Sequence, residues 1–173
     1  GDERTYDQLT RLAGDAPAMA ALVDPDHPSL LAPADMPAAI RALCRETGQT
    51  PPEGIGATVR CCLDSLGLKY RTTLRTLERL TGRRVSRLHI VGGGSQNRLL
   101  NQIAADATGC TVFAGPVEAT AIGNVLLQAR SAGLVADLSE LRAIVRASFP
   151  IETYAPDPAM AARWDDVAAA RGV

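Results

Sequence analysis

Lysine is almost missing from this chain: Lys69 is the only one among eighteen basic residues. Arginine fills every other basic position, a bias of genome composition rather than of mechanism. Aromatic residues are 3% of the chain, so the core has to come from Leu, Ala, Val and Ile. There is no basic block, and the net charge is −1. That excludes the clustered basic face of a nucleic-acid protein. No apolar run approaches the roughly 20 residues of a membrane helix. No charged start leads into an apolar stretch as in a signal peptide. A soluble, cytoplasmic protein is expected, with neither nucleic acid nor membrane as partner. There is also no C-x-x-C, and neither His27 nor His89 stands at metal-ligand spacing from Cys44, Cys61, Cys62 or Cys110. No zinc site is expected, and the cysteines read as small buried apolar residues.

What is present is enough for one domain: 173 residues, 46% of them hydrophobic. The chain opens Gly1-Asp-Glu-Arg without Met, as a cut-down or processed chain would. Residues 3–22 are expected to be helical, with a break at Gly14 to Pro17. Pro25, Pro28 and Pro33 mark a loop over 23–34. Asp35 is a good N-cap for a helix through Cys44. A long helix follows over about 53–81, with Ile55, Val59, Leu63, Leu66, Tyr70, Leu74 and Leu77 at three- and four-residue steps. Gly82 closes it. Residues 85–91 are expected to be a buried strand. A helix with Leu99, Leu100, Ile103, Ala104 and Ala107 on one face ends at Gly109. Then come a short strand at 111–113, a turn at Gly115-Pro116, helices at 117–132 and 138–147, a strand at 151–154 and a terminal helix at 159–170. Alternating helices and strands mean an α/β fold, though with few strands for an independent sheet.

The most informative passage is Gly92-Gly-Gly-Ser-Gln-Asn97, where the apolar run Leu88-His-Ile-Val91 ends in three glycines. Without Cβ atoms the backbone can take positive φ and a ligand can approach the main chain. A helix opening at Ser95 or Gln96 would leave N–H groups unpaired and carry partial positive charge, which suits a phosphate. The P-loop pattern fails because no Lys follows the glycines. The dinucleotide fingerprint fails at its third glycine, where Asn97 stands. A tight turn without any ligand remains the alternative. Asn97 offers a donor and an acceptor early in the helix. It suits either a nucleoside edge or a hydrogen bond to its own helix end. A second element, Gly115-Pro-Val-Glu-Ala-Thr-Ala-Ile-Gly-Asn124, puts Glu118 near a helix start, where an acid is favoured by the dipole. Gly123 inside that helix costs about 1 kcal/mol relative to Ala. Close backbone packing is the expected reason for it.

These two segments, with the helix Arg60-Cys-Cys-Leu-Asp-Ser-Leu-Gly-Leu-Lys-Tyr70 upstream, resemble the C-terminal domain of the FGGY carbohydrate kinases, over about residues 3–158. The resemblance implies an α/β, ribonuclease-H-like fold of the actin/hexokinase type, helix-rich and truncated on its N-terminal side. Residues 1–173 would then be a partial, nucleotide-side domain. It implies ATP and Mg²⁺ as cofactors, with Gly93 facing the phosphates, Asn97 the ribose or adenine, and Gly92 and Gly94 shaping the turn. The sugar would be bound mainly by a domain not in this sequence. The family's catalytic Asp has no counterpart here, so the chain alone is not expected to phosphorylate sugar. Cys44 and Cys61 match positions where members of the family can carry paired cysteines. The competing expectation is a structural or partner-binding piece without a working ATP site. A dehydrogenase ranks third.

Overall fold

The computed structural model describes residues 4–172. Helix α1 (Tyr6–Gly14) opens on a capping box in which Thr5 accepts from the Gln8 N–H and Gln8 accepts from the Thr5 N–H. Helix α2 (Met36–Glu46) opens at Asp35, whose carboxylate accepts from the Ala38 N–H at 2.9 Å. Helix α3 (Gly54–Thr81) ends at Gly82, whose φ of 66° lies in the left-handed region. Strand β1 (Arg87–Ile90), helix α4 (Arg98–Thr108) and strand β2 (Thr111–Ala114) form a strand–helix–strand unit with β1 and β2 parallel. Helices α5 (Ala119–Ser131) and α6 (Leu138–Ser148) follow. Strand β3 (Glu152–Tyr154) pairs antiparallel with β2, and α7 (Pro158–Arg171) ends the fold. The sheet order is β1-β2-β3.

The long helix α3 organises the core. Its buried positions are not simply the apolar stripe. Leu63 and Leu74 are buried, but so are Arg60, Asp64, Ser65 and Gly67, while Ile55 and Leu77 are half exposed. The reason is that α3 is packed from several sides. A Cβ on Gly56 would stand 2.5 Å from the Leu12 carbonyl oxygen of α1. A Cβ on Gly67 would stand 2.5 Å from Ile103 Cγ2 of α4 and 3.4 Å from the Trp164 ring of α7. Around that approach Ala13, Leu22, Leu63, Ile103, Ala107 and Trp164 form one buried cluster. The buried charges serve the loop after α1. The Asp64 carboxylate takes the Met19 N–H at 2.7 Å and the Arg60 guanidinium at 2.9 Å, and Ser65 Oγ accepts the Val23 N–H at 2.9 Å.

A second cluster joins Ala21, Val23, Ile40, Leu43, Cys44 and Cys61. All four cysteines are free thiols, so the Cys44–Cys61 pairing implied by the resemblance is not formed here. They are the small buried residues expected, apart from half-buried Cys62. Burial, with Cys44 and Cys62 close by, pushes the Cys61 thiol up to about 12.

Four local expectations are corrected. Residues 18–22 are not helical: α1 ends at Gly14, and the chain runs on as a loop whose Met19 and Val23 N–H groups are taken by Asp64 and Ser65 of α3. The strand at 85–91 is shorter and not buried: Arg87 and His89 are exposed, and Leu88 and Ile90 are half-buried. It stands at the sheet's edge, whereas the central strand β2 buries Val112 and Ala114 against Ala104 and Ala105. No α-helix opens at Ser95 or Gln96: residues Gly93–Gln96 form a 3₁₀ turn, and α4 starts at Arg98. Gly123 does not admit a neighbouring backbone, because a Cβ there meets nothing within 4 Å. Its helix has no buried residue at all.

Candidate functional site

Parallel pairing puts the two informative segments side by side. Ile90 is in register with Ala114, so both strands deliver their C-terminal ends at the same level. Ligands of open α/β sheets bind outside such ends. The Gly115 N–H donates to the Ile90 carbonyl at 2.8 Å, and the Gly92 N–H donates to the Pro116 carbonyl at 3.1 Å. The glycine turn and the Gly115-Pro116-Val117 segment therefore form one rim.

Gly92 starts the turn with φ of 79°, where a side chain would be strained. Within the turn the Ser95 N–H and the Ser95 hydroxyl both donate to the Gly92 carbonyl, at 3.0 and 2.7 Å. The Asn97 N–H donates to the Gly94 carbonyl at 3.2 Å. Among the described residues the N–H groups of Gly93 and Gly94 have no acceptor. Both glycines are exposed, and a Cβ on either would meet nothing within 4 Å. Two free donors over open space, with no side chain in the way, fit a phosphate oxygen.

Asn97 sits differently from Gly93. It is the N-cap of α4 and only 3% exposed. Its Oδ1 accepts from the Leu100 N–H at 3.0 Å, and its Nδ2 donates to the Tyr6 hydroxyl at 2.8 Å. The helix-end role weighed for it is present, and the face it would turn to a nucleoside is covered by Tyr6. Tyr6 is itself 60% exposed beside Gln96, Arg98 and Leu99. Sequence reasoning gave Tyr6 no role; its N-terminal helix lies 91 positions away, and no local signal links it to the turn. Glu118 is exposed at the cap position of α5, not in its first turn, and makes no capping bond.

No group of three or more His, Cys, Asp or Glu side chains among the described residues is placed to hold a metal. No described helix is long and apolar enough to cross a membrane.

The chain is similar to known proteins over most of its length. Residues 1–132 match the model of the FGGY family of carbohydrate kinases, C-terminal domain. A rhamnulokinase of Bacteroides thetaiotaomicron is 45% identical over 163 residues, covering 94% of this chain and 33% of that protein. A rhamnulokinase of Enterococcus faecalis is 44% identical over 156 residues, covering 89% of this chain and 32% of that protein. The chain thus spans about a third of the length of these relatives. The crystal structure of xylulose kinase from Rhodospirillum rubrum superposes with a TM-score of 0.63 at 24% identity, over 94% of this chain and 32% of that one. That likeness shows the fold: ribonuclease-H-like, here helix-rich with a small sheet.

Proposed function

The chain belongs to the FGGY family of carbohydrate kinases, and on that premise we propose that it is the nucleotide-side part of a sugar kinase of the rhamnulokinase type. The whole enzyme would transfer the γ-phosphoryl of ATP to the 1-hydroxyl of L-rhamnulose. The sugar assignment rests on the 45% and 44% identity to the two rhamnulokinases. Residues 1–173 would be a partial C-terminal domain, with the sugar site and the catalytic carboxylate in the part not present in this sequence.

One observation carries the nucleotide role: the unpaired N–H groups of Gly93 and Gly94 on an exposed, side-chain-free turn. They would donate to phosphate oxygens, and the missing Cβ atoms would let the phosphates reach the backbone. Gly92 sets the turn by its positive φ. Asn97 holds the start of α4 and the Tyr6 hydroxyl. In this reading it acts on the ribose or adenine side together with that hydroxyl. Mg²⁺, when bound with ATP, neutralises phosphate charge.

An NMR titration of the chain with Mg-ADP tests this. The amides of Gly93, Gly94 and Asn97 should shift while those of α2 stay in place. Unmoved signals at all three positions would overturn nucleotide binding by this chain and leave a non-catalytic piece as its description.

A further inference from the structure

Beneath the glycine turn lies a polar side chain that the proposed function leaves unused. Asn101 stands one helical turn after Asn97 on α4 and is wholly buried. Its Nδ2 donates to the Ser95 carbonyl at 2.8 Å. Its Oδ1 is the one buried side-chain oxygen or nitrogen among the described residues that has no partner. An amide oxygen orphaned in a core counts against folding, and an apolar side chain there would remove the penalty. The neighbouring helix positions Ile103, Ala104, Ala105 and Ala107 follow that apolar rule. Turning the amide over would not help, because Oδ1 would then face the Ser95 carbonyl.

The bond that Asn101 does make has a particular place. The two hydrogen bonds of Ser95 to the Gly92 carbonyl are internal to the turn. Among the described residues three bonds tie residues 92–96 to the body of the protein: the Gly92 N–H to the Pro116 carbonyl, the Asn101 side chain to the Ser95 carbonyl, and the Asn97 N–H to the Gly94 carbonyl; Asn101 supplies the one that comes from a side chain. The first fixes the turn's entry and the second its far end. Between them lie the free N–H groups of Gly93 and Gly94.

We propose that Asn101 is a positioning residue for nucleotide binding: its Nδ2 anchors the Ser95 carbonyl and so aims the Gly93 and Gly94 N–H groups at a phosphate. The unpartnered Oδ1 is what the fold gives up for that anchor. The inference rests on the nucleotide reading above and extends it to a residue that never touches the ligand.

Asn101→Leu tests it, since it removes the donor and the orphaned oxygen together at similar volume. Asn101→Ala, which loses the same donor without added bulk, serves if the first variant does not fold. A residue with only a packing role would leave Mg-ADP affinity at the parent value. The expected result is a melting temperature held or raised, with Mg-ADP bound at least tenfold more weakly. In the ligand-free variants, amide exchange at Ser95, Gln96 and Asn97 should speed up while α3 and α7 keep parental protection. Parental affinity and parental exchange in a folded variant would overturn the role of Asn101 alone. A parent chain that does not bind Mg-ADP would overturn the nucleotide reading and the phosphate role together. The exchange arm would then still report whether Asn101 holds the turn.

Discussion

The two sides of this molecule are built by different rules. Around α3, side chains from α1, α4 and α7 close on one another, and Trp164, Leu22 and Ala13 are almost wholly buried. Beyond the glycine turn, α5 buries nothing, Val125 and Leu127 are 65% and 54% exposed, and α6 buries only Leu141. Local bonds hold that second side. The Asp137 carboxylate accepts the Ser139 and Glu140 N–H groups, and Glu140 accepts the Ala136 N–H. The glycine turn sits at the boundary, anchored through Asn101 and Asn97 to the densely packed helix α4, while its outer rim leads into the loosely packed α5. Burial thus fixes one wall of the candidate site, and hydrogen bonds near in sequence shape the other.

The contrast can be broken most forcefully at Asp64. Asp64→Ala strands the buried Arg60 guanidinium and the Met19 N–H. Unfolding by urea should show a loss of about 3–5 kcal/mol; a loss below 1 would mean that the α3 side is less tightly determined than its burial implies. Two glycine substitutions sharpen the comparison with opposite signs. Gly67→Ala drives a Cβ to within 2.5 Å of Ile103 Cγ2 and should destabilise by about 1–3 kcal/mol. Gly123→Ala in α5 meets nothing within 4 Å and should stabilise by about 0.5–1 kcal/mol through helix propensity. Equal signs for the pair would erase the distinction.

The smallest effect is a pH dependence at Asp106 on α4. Burial raises this carboxyl above its ordinary value of 3.8, against the pull of the Asp157 N–H and the Gln102 amide. With the folded pKa raised, the native state binds the proton more tightly than the unfolded chain does. The stability this group lends at low pH is lost as pH rises from its ordinary value through the raised one. Asp106→Asn should therefore gain stability relative to the parent as pH climbs through that window, read by thermal unfolding at a series of pH values. A difference that stays flat across the window would contradict the burial effect.

The elements of the fold were legible where their signals were local. Asp35 and Gly82 marked helix ends because capping acts over a few residues. The spacing of Leu99, Ile103 and Ala107 marked the packed face of α4 for the same reason. What stayed hidden depends on distant partners. The polar face of α3 is buried because Asp64 serves Met19, 45 positions away. The exposure of β1 follows from its place at the edge of the sheet, which alternation within the strand does not encode. At the site, the glycines were legible because positive φ and an open backbone call for that residue type. Asn97 was singled out, but its partner Tyr6 was not, and Asn101 passed as an ordinary helix position. Its meaning lies in one bond to Ser95 and in the bond it fails to make.

Gly56 and Gly67 are eleven residues apart on α3, which returns them to within about 20° of the same face, roughly 16 Å apart along the axis. One seats α1 and the other seats α4, so a single stripe carries both helices in line. The helix therefore works as a ruler. The meeting of Tyr6 with Asn97 is measured off along it, residue by residue, far from either partner. An insertion between the two glycines would turn one seat by about 100° and put the two side chains out of step.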